Sequence, residues 1–293
     1  IKMAYEQAER TFIKDGINRV ILATDGDFNV GVADDAQLVR LIEGKRKTGV
    51  YLTVLGYGMG NLQDAKLEQL AHHGNGHYAY IDTYDEARKV FVEQGAALVT
   101  VAKDVKLQVE FNPAKVAGYR LIGYENRVLR AEDFRNDAKD AGDMGSGHTC
   151  TALYEVVPVG EKVSNSEIEP LKYQSRTELT DAAKTGEWLT VRMRYKHPET
   201  DKASEVSAVV PPDGLAKEAS ADFRFAAAAA AFGMLLRDSE YRGTADYAKV
   251  MEWARPAIGD DKGGHRAEFV RVVERAKETI EKAKEAAEKI PNE

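Results

Sequence analysis

The chain has 293 residues, with 41 Lys+Arg against 48 Asp+Glu and a formal net charge of −7. Its 43% hydrophobic and 30% charged content is ordinary globular composition, which excludes wholesale disorder and fibrous repeats. The acidic balance lacks the electrostatic footprint of a nucleic-acid binder, and the longest apolar run, residues 225–236, is far short of the about 20 residues a membrane-spanning helix needs.

Residues 1–14 carry a helical pattern that ends near Asp15-Gly16. The chain opens inside that pattern (Ile1, Ala4, Tyr5, Ala8, Phe12) rather than at a Met, which reads as a fragment whose N-terminal part is missing. Residues 19–24 (RVILAT) form a short apolar run that ends in the turn-rich Asp25-Gly26-Asp27. Residues 34–48 have helical spacing through Ala36, Leu38, Leu41 and Ile42 and stop at Gly49. A second apolar run, 50–55 (VYLTVL), precedes Gly56, Gly58 and Gly60. A helix over 62–72 is broken by Gly74-Asn75-Gly76, residues 77–81 (HYAYI) read as a third strand, and 83–101 as a third crossover-type helix. Short apolar strands alternating with amphipathic helices predict a parallel sheet buried on both faces. Its crossovers should be right-handed, with functional groups at the carboxyl ends of the strands.

Beyond residue 103 the period becomes two, at 105–111 (VKLQVEF), 120–124, 149–158, 187–195 and 205–210, which predicts an antiparallel sheet or sandwich closed by Pro211-Pro212-Asp213-Gly214. Residues 220–255 are Ala-rich and helical, and 265–290 is a long charged helix. Its stripe of Phe269, Val273, Ala276, Ile280, Ala283, Ala287 and Ile290 steps by four and three, a heptad spacing. The stripe either docks on the chain's own sheet domain or meets a partner in a coiled coil, and its alanines bury too little area to favour the second. The predicted organisation is an α/β region at 1–101, a β-rich, sandwich-like region at 102–214 and a helical segment at 215–293 that packs on the β-rich region.

The chemistry-bearing stretch is Ala23-Thr24-Asp25-Gly26-Asp27-Phe28-Asn29. A buried strand that delivers Asp25 to its carboxyl end, beside a glycine turn, suits a hard cation such as Mg²⁺, which takes about six oxygens; the other reading is a plain strand-to-helix turn with an Asp cap. Gly56-Tyr57-Gly58-Met59-Gly60 is not the spacing of a dinucleotide loop and reads as lying on the same face as Asp25. His72, His73 and His77 are interrupted by glycines and read as solvated loop residues. The acidic loop 132–143 lacks calcium-loop spacing and reads as a solvated connection. Cys150, the only cysteine, reads as a packed residue of an alternating strand, with no disulfide framework. No G-x-S-x-G or H-E-x-x-H motif occurs.

The order LATDGDFNVG, VYLTVLGYGMGN, GHYAYID resembles the second half of a von Willebrand factor type A domain. The segments FNPAKVAGYRLIGYENR and DAGDMGSGHTCTALYEVVPVG resemble the C-terminal region of bacterial envelope proteins that carry such a domain. The resemblance implies a doubly wound sheet with a metal-ion-dependent adhesion site. In that family the metal is held by a D-x-S-x-S strand end, a loop Thr and the Asp of T-D-G. Only the last matches here, at Asp25, with Asp27 and Asn29 implied to shape the partner surface. Two of the three ligand groups have no match, so this chain is expected to bind Mg²⁺ weakly or not at all.

The resemblance implies a non-enzymatic protein-binding module at a bacterial cell envelope or periplasm, whose partner presents a carboxylate. A structural scaffold with a vestigial metal site and a metal-dependent hydrolase using the histidines with Asp25 are the alternatives. The strand at 19–24 is expected to have an unpaired edge, filled by a second copy or by another segment.

Overall fold

The computed structural model describes residues 1–25, 35–58, 60, 62–124, 127–161, 178–200 and 202–288, with side chains to 284. The chain is mixed α/β. Helix α1 (Lys2–Arg10) leads into strand β1 (Asn18–Thr24), then α2 (Asp35–Arg46), β2 (Val50–Gly56), α3 (Asp64–His73) and β3 (Tyr78–Tyr80). The three strands form a parallel sheet in the order β1-β2-β3, with Asn18 opposite Val50 and Thr24 opposite Gly56. The helices begin and end where the sequence lets them. Asp35 and Asp64 lie in first turns, while Lys45-Arg46 and His72-His73 lie in last turns, all complementing the helix dipole.

One continuous core fills this layer: Tyr5, Val20, Leu38, Ile42, Val50, Leu52, Val54, Leu67, Leu70 and Ala71. Val50, Leu52 and Val54 are fully buried, each side chain contributing about 1.5–3 kcal/mol by its removal from water. The Tyr5 hydroxyl is buried with no hydrogen-bond partner, and burial raises its pKa. An unsatisfied buried hydroxyl costs about 1–3 kcal/mol. Tyr5→Phe is therefore expected to leave stability unchanged or raise it in urea unfolding; a loss above about 1 kcal/mol would show that the hydroxyl is satisfied in solution.

The helix expected over 83–101 is not one helix. Thr83 caps a short helix α4 (Tyr84–Arg88), the backbone then widens to a π-turn (Lys89–Glu93) and tightens to a 3-10 turn (Gly95–Leu98), and strand begins at Thr100. Gly95 weakens the helix, and the β-branched run Val99, Thr100, Val101 favours extended backbone.

Strands β4 (Thr100–Phe111), β5 (Val116–Ile122), β6 (Gly142–Gly145), β7 (Leu153–Pro158), β8 (Leu189–Lys196) and β9 (Ala203–Val210) make two sheets, one ordered β6-β4-β8-β9 and one the antiparallel pair β5-β7. Contacts divide the chain into two compact units. One comprises Ile1–Glu110, Leu129–Cys150 and Thr190–Ala208; the other comprises Phe111–Val128, Thr151–Leu189 and Val209–Glu293. The dividing points fall at the last residue of β4, after the first residue of β8 and two residues before the end of β9.

In the second unit α5 (Ala221–Leu236), α6 (Tyr247–Ala254) and α7 (His265–Glu288) share a core of Ala228, Ala231, Phe232, Val250, Ala254, Val270 and Val273, with Ile122 of β5 packed against it. Ser220 accepts the Phe223 N–H at 3.1 Å and Asp246 the Lys249 N–H at 2.8 Å, closing the starts of α5 and α6. The α7 stripe thus docks on this helical core through Phe269, Val273 and Ala276, joined by Val270. Ala287 and Ile290 lie outside the described side chains.

Candidate functional site

The parallel register brings the ends of β1 and β2 level, so Asp25, directly after Thr24, lies beside the loop that follows Gly56. The Tyr57 N–H donates to the Thr24 carbonyl at 2.9 Å, and the Gln63 N–H to the Asp25 carbonyl at 3.4 Å. The Ile81 N–H donates to the Gly56 carbonyl at 2.8 Å and the Tyr80 hydroxyl to the Gly58 carbonyl at 2.8 Å, which ties the glycine loop across the sheet end. Gly58 has φ of +95°, and a Cβ there would sit 3.8 Å from the Asp25 Cβ. Ala23, Thr24, Asp25, Tyr57 and Gly58 line an open depression, and Asp25 is exposed at its rim. The glycine loop and Asp25 therefore do share a face. Asp27 and Asn29 lie outside the described residues.

Two further carboxylates start helices next to this end of the sheet, and both are engaged. Asp35 pairs with Lys66 at 2.6 Å, and Asp64 accepts the Tyr78 hydroxyl. Burial first, then the Asp64 hydrogen bond and charge, raise the Tyr78 pKa. Among the described residues no group of three or more His, Cys, Asp or Glu is placed to hold a metal ion.

The histidines are not gathered with Asp25. Gly74 and His77 accept from Leu52 and Val54, so the 72–77 segment runs beside the beginning and middle of β2, while Asp25 lies beyond its end. Nor are two of them plain solvated loop residues. His73 Nδ1 is 2.9 Å from Glu43 Oε1, and His77 Nε2 is 3.2 Å from the Ala97 carbonyl, both half-buried. Partners 30 and 20 residues away leave no trace in local spacing.

The acidic stretch is a clamped element rather than a solvated connection. Lys106, 3% exposed, donates to the carbonyls of Asp133 (3.3 Å) and Asn136 (2.6 Å). Arg194 grips Asp137 with bonds of 2.9 and 3.0 Å, Arg46 pairs with Asp140 at 2.5 Å, and Asp143 on β6 accepts the Asp104 N–H at 3.1 Å. Lys106 and Arg19 carried the available signal, a cation inside an otherwise strand-like run. Cys150 is exposed and precedes β7, so it is not a packed strand residue; the strand starts only at Leu153.

A family described as "Uncharacterized protein YfbK, C-terminal" matches residues 96–279, more than half of the chain. The uncharacterized protein YfbK of Escherichia coli (strain K12) is 45% identical over 277 residues, which cover 94% of this chain and 47% of that protein, so the chain spans about half the length of the curated relative it matches. Among solved structures, a von Willebrand factor type A protein from Catenulispora acidiphila aligns at TM-score 0.36 and 17% identity, covering 92% of this chain and 62% of that one. The human COPII-coat protein Sec24c aligns at TM-score 0.37 and 9% identity, covering 88% and 36%.

Proposed function

The chain belongs to the YfbK family, and from that premise we propose that it is a non-enzymatic protein-binding module of the von Willebrand factor type A kind. The observation that carries the reading is the placement of Asp25: exposed, at the carboxyl end of a parallel strand, against the Gly58 loop. Ligands of open parallel sheets bind at that end. The order of motifs along the sequence supports the same assignment independently.

The proposal extends to Mg²⁺ in the intact protein, with Asp25 as one ligand, Asp27 and Asn29 at the partner surface, and a partner carboxylate as the recognised group. A bacterial envelope or periplasmic location rests on the sequence resemblance. The edge of β1, where Ile21 is 44% exposed, is a candidate contact for a second copy.

This chain is expected to show no micromolar Mg²⁺ affinity in calorimetric titration. Micromolar binding that disappears in Asp25→Ala would mean that the chain supplies a whole site. For the function itself, the probe is a synthetic peptide containing aspartate, tested with Mg²⁺ and with chelator against a chain of the E. coli relative's full length. The expected result is Mg²⁺-dependent binding that is lost when the aspartate corresponding to Asp25 becomes alanine. Binding that survives this change overturns the reading. The scaffold alternative is favoured by the engaged state of Asp35 and Asp64, and absence of any Mg²⁺-dependent binding would decide for it.

A further inference from the structure

The segment that leads from the parallel sheet to β4 is held through three consecutive carbonyls. Ala97 O meets His77 Nε2 at 3.2 Å, Leu98 O accepts from the Arg19 guanidinium at 3.3 Å, and Val99 O accepts the Ser146 N–H at 2.8 Å. Gly145 presses on the same segment so closely that a Cβ there would lie 1.9 Å from Ala97 O.

The side chains of this grip are predominantly cationic or able to become so. Arg19 of β1 also donates to Thr53 Oγ1 at 2.9 Å and lies 5.5 Å from the centre of the Tyr51 ring, while its Nε is buried with no hydrogen-bond partner. The His77 ring is 6.0 Å from that of His148, on the loop after β6. The negative charge acting on Arg19 is Asp143 of β6, whose Oδ2 is likewise buried without a partner. Asp143 in turn faces Asp104, Asp140 and Lys103.

We propose that this grip is a proton-operated clasp: charging His77, beside Arg19 and the His148 ring, loosens the segment at 95–99 from β1 and β6, and the Asp143 carboxyl opposes the loosening. The electrostatics favour it. Burial, then Arg19 and His148, hold His77 below the ordinary histidine range despite its hydrogen bond to Ala97. A base depressed in the folded state contributes stability that is complete above its unfolded pKa and is lost as the pH falls below it. Asp143 is pushed up to about 6 by burial, with Asp104 and Asp140 adding to the shift. Its own linkage has the opposite sign, favouring the folded state below the ordinary Asp range and fading as the pH rises through about 6. Below that pH the acid no longer offsets Arg19 by charge.

The test is amide hydrogen exchange on the whole chain at pH 7.5 and 5.0, which bracket an unperturbed histidine, with rates corrected for intrinsic pH dependence. In Asp143→Asn, which lacks the opposing linkage, the Ser146 amide is expected to lose protection severalfold at the lower pH, while Leu52 and Val54 in β2 keep theirs. Adding His77→Gln, which keeps an N–H donor but no titratable charge, should abolish the loss; adding His148→Gln, at an exposed position, should shrink it. With Asp143 in place its opposing linkage should offset the loss. Unchanged Ser146 protection at pH 5.0 in Asp143→Asn, or an equal loss once His77→Gln or His148→Gln is added, overturns the clasp. If the His77→Gln variant does not fold, Asp143→Asn with and without His148→Gln decides it by the same criterion.

Discussion

Gly76→Ala is expected to destabilise the α/β layer by about 3 kcal/mol or more, read as a lowered urea midpoint by circular dichroism. The segment before β3 runs so close to β2 that a Cβ at position 76 would lie 1.7 Å from the Leu52 carbonyl oxygen and 2.4 Å from its carbon. Those are backbone atoms of the fully buried Leu52, in a strand bonded through Leu52 N–H to Gly74 and Val54 N–H to His77. Neither strand can move aside without breaking that ladder. Gly44→Ala in α2 is the control of opposite sign. Nothing lies within 4 Å of where a Cβ at position 44 would stand, and alanine in a helix interior gains about 0.5–1 kcal/mol over glycine. If Gly76→Ala unfolds within about 0.5 kcal/mol of wild type, the close strand approach is absent in solution.

Lys106→Met is expected to cost about 3 kcal/mol and to free the 133–140 segment to proteolysis. The substitution keeps the apolar stem and deletes a buried ammonium that satisfies two carbonyls and lies among Asp104 and Asp137. Burial lowers the Lys106 pKa, whereas Asp104 and Asp137 act to keep it charged. Removing it leaves the carbonyls of Asp133 and Asn136 without that donor and the surrounding carboxylates with one fewer counter-charge. A variant with wild-type stability and an equally resistant segment would show that the remaining cations, Lys196, Arg194 and Arg46, hold the loop without it.

Lys106 also marks the limit of what the sequence revealed. VKLQVEF does form a strand, as its alternation required, but Leu107 is 48% exposed while Lys106 points inward. Period two fixes which residues share a face; it does not say which face meets the interior when a cation finds carbonyl partners nearly thirty residues away. The parallel layer was more legible, because β1 and β2 are short apolar runs bounded by turn residues, and their parallel order follows from the helices between them. The π-turn and the 3-10 turn between Lys89 and Leu98 were not, since a favourable apolar pattern conceals a local loss of helix geometry. Asp25 was readable for the same reason as the strands: it ends an apolar run. The carboxylates that flank it, Asp35 and Asp64, look like helix starters in the sequence, and only tertiary contact with Lys66 and Tyr78 gives them their second role.

Cys150 has a practical consequence. The chain carries one thiol, on the surface, two residues beyond His148. A maleimide dye would therefore attach at a single defined address near the turn that follows β6, and its emission would report on that turn's surroundings without any engineered label.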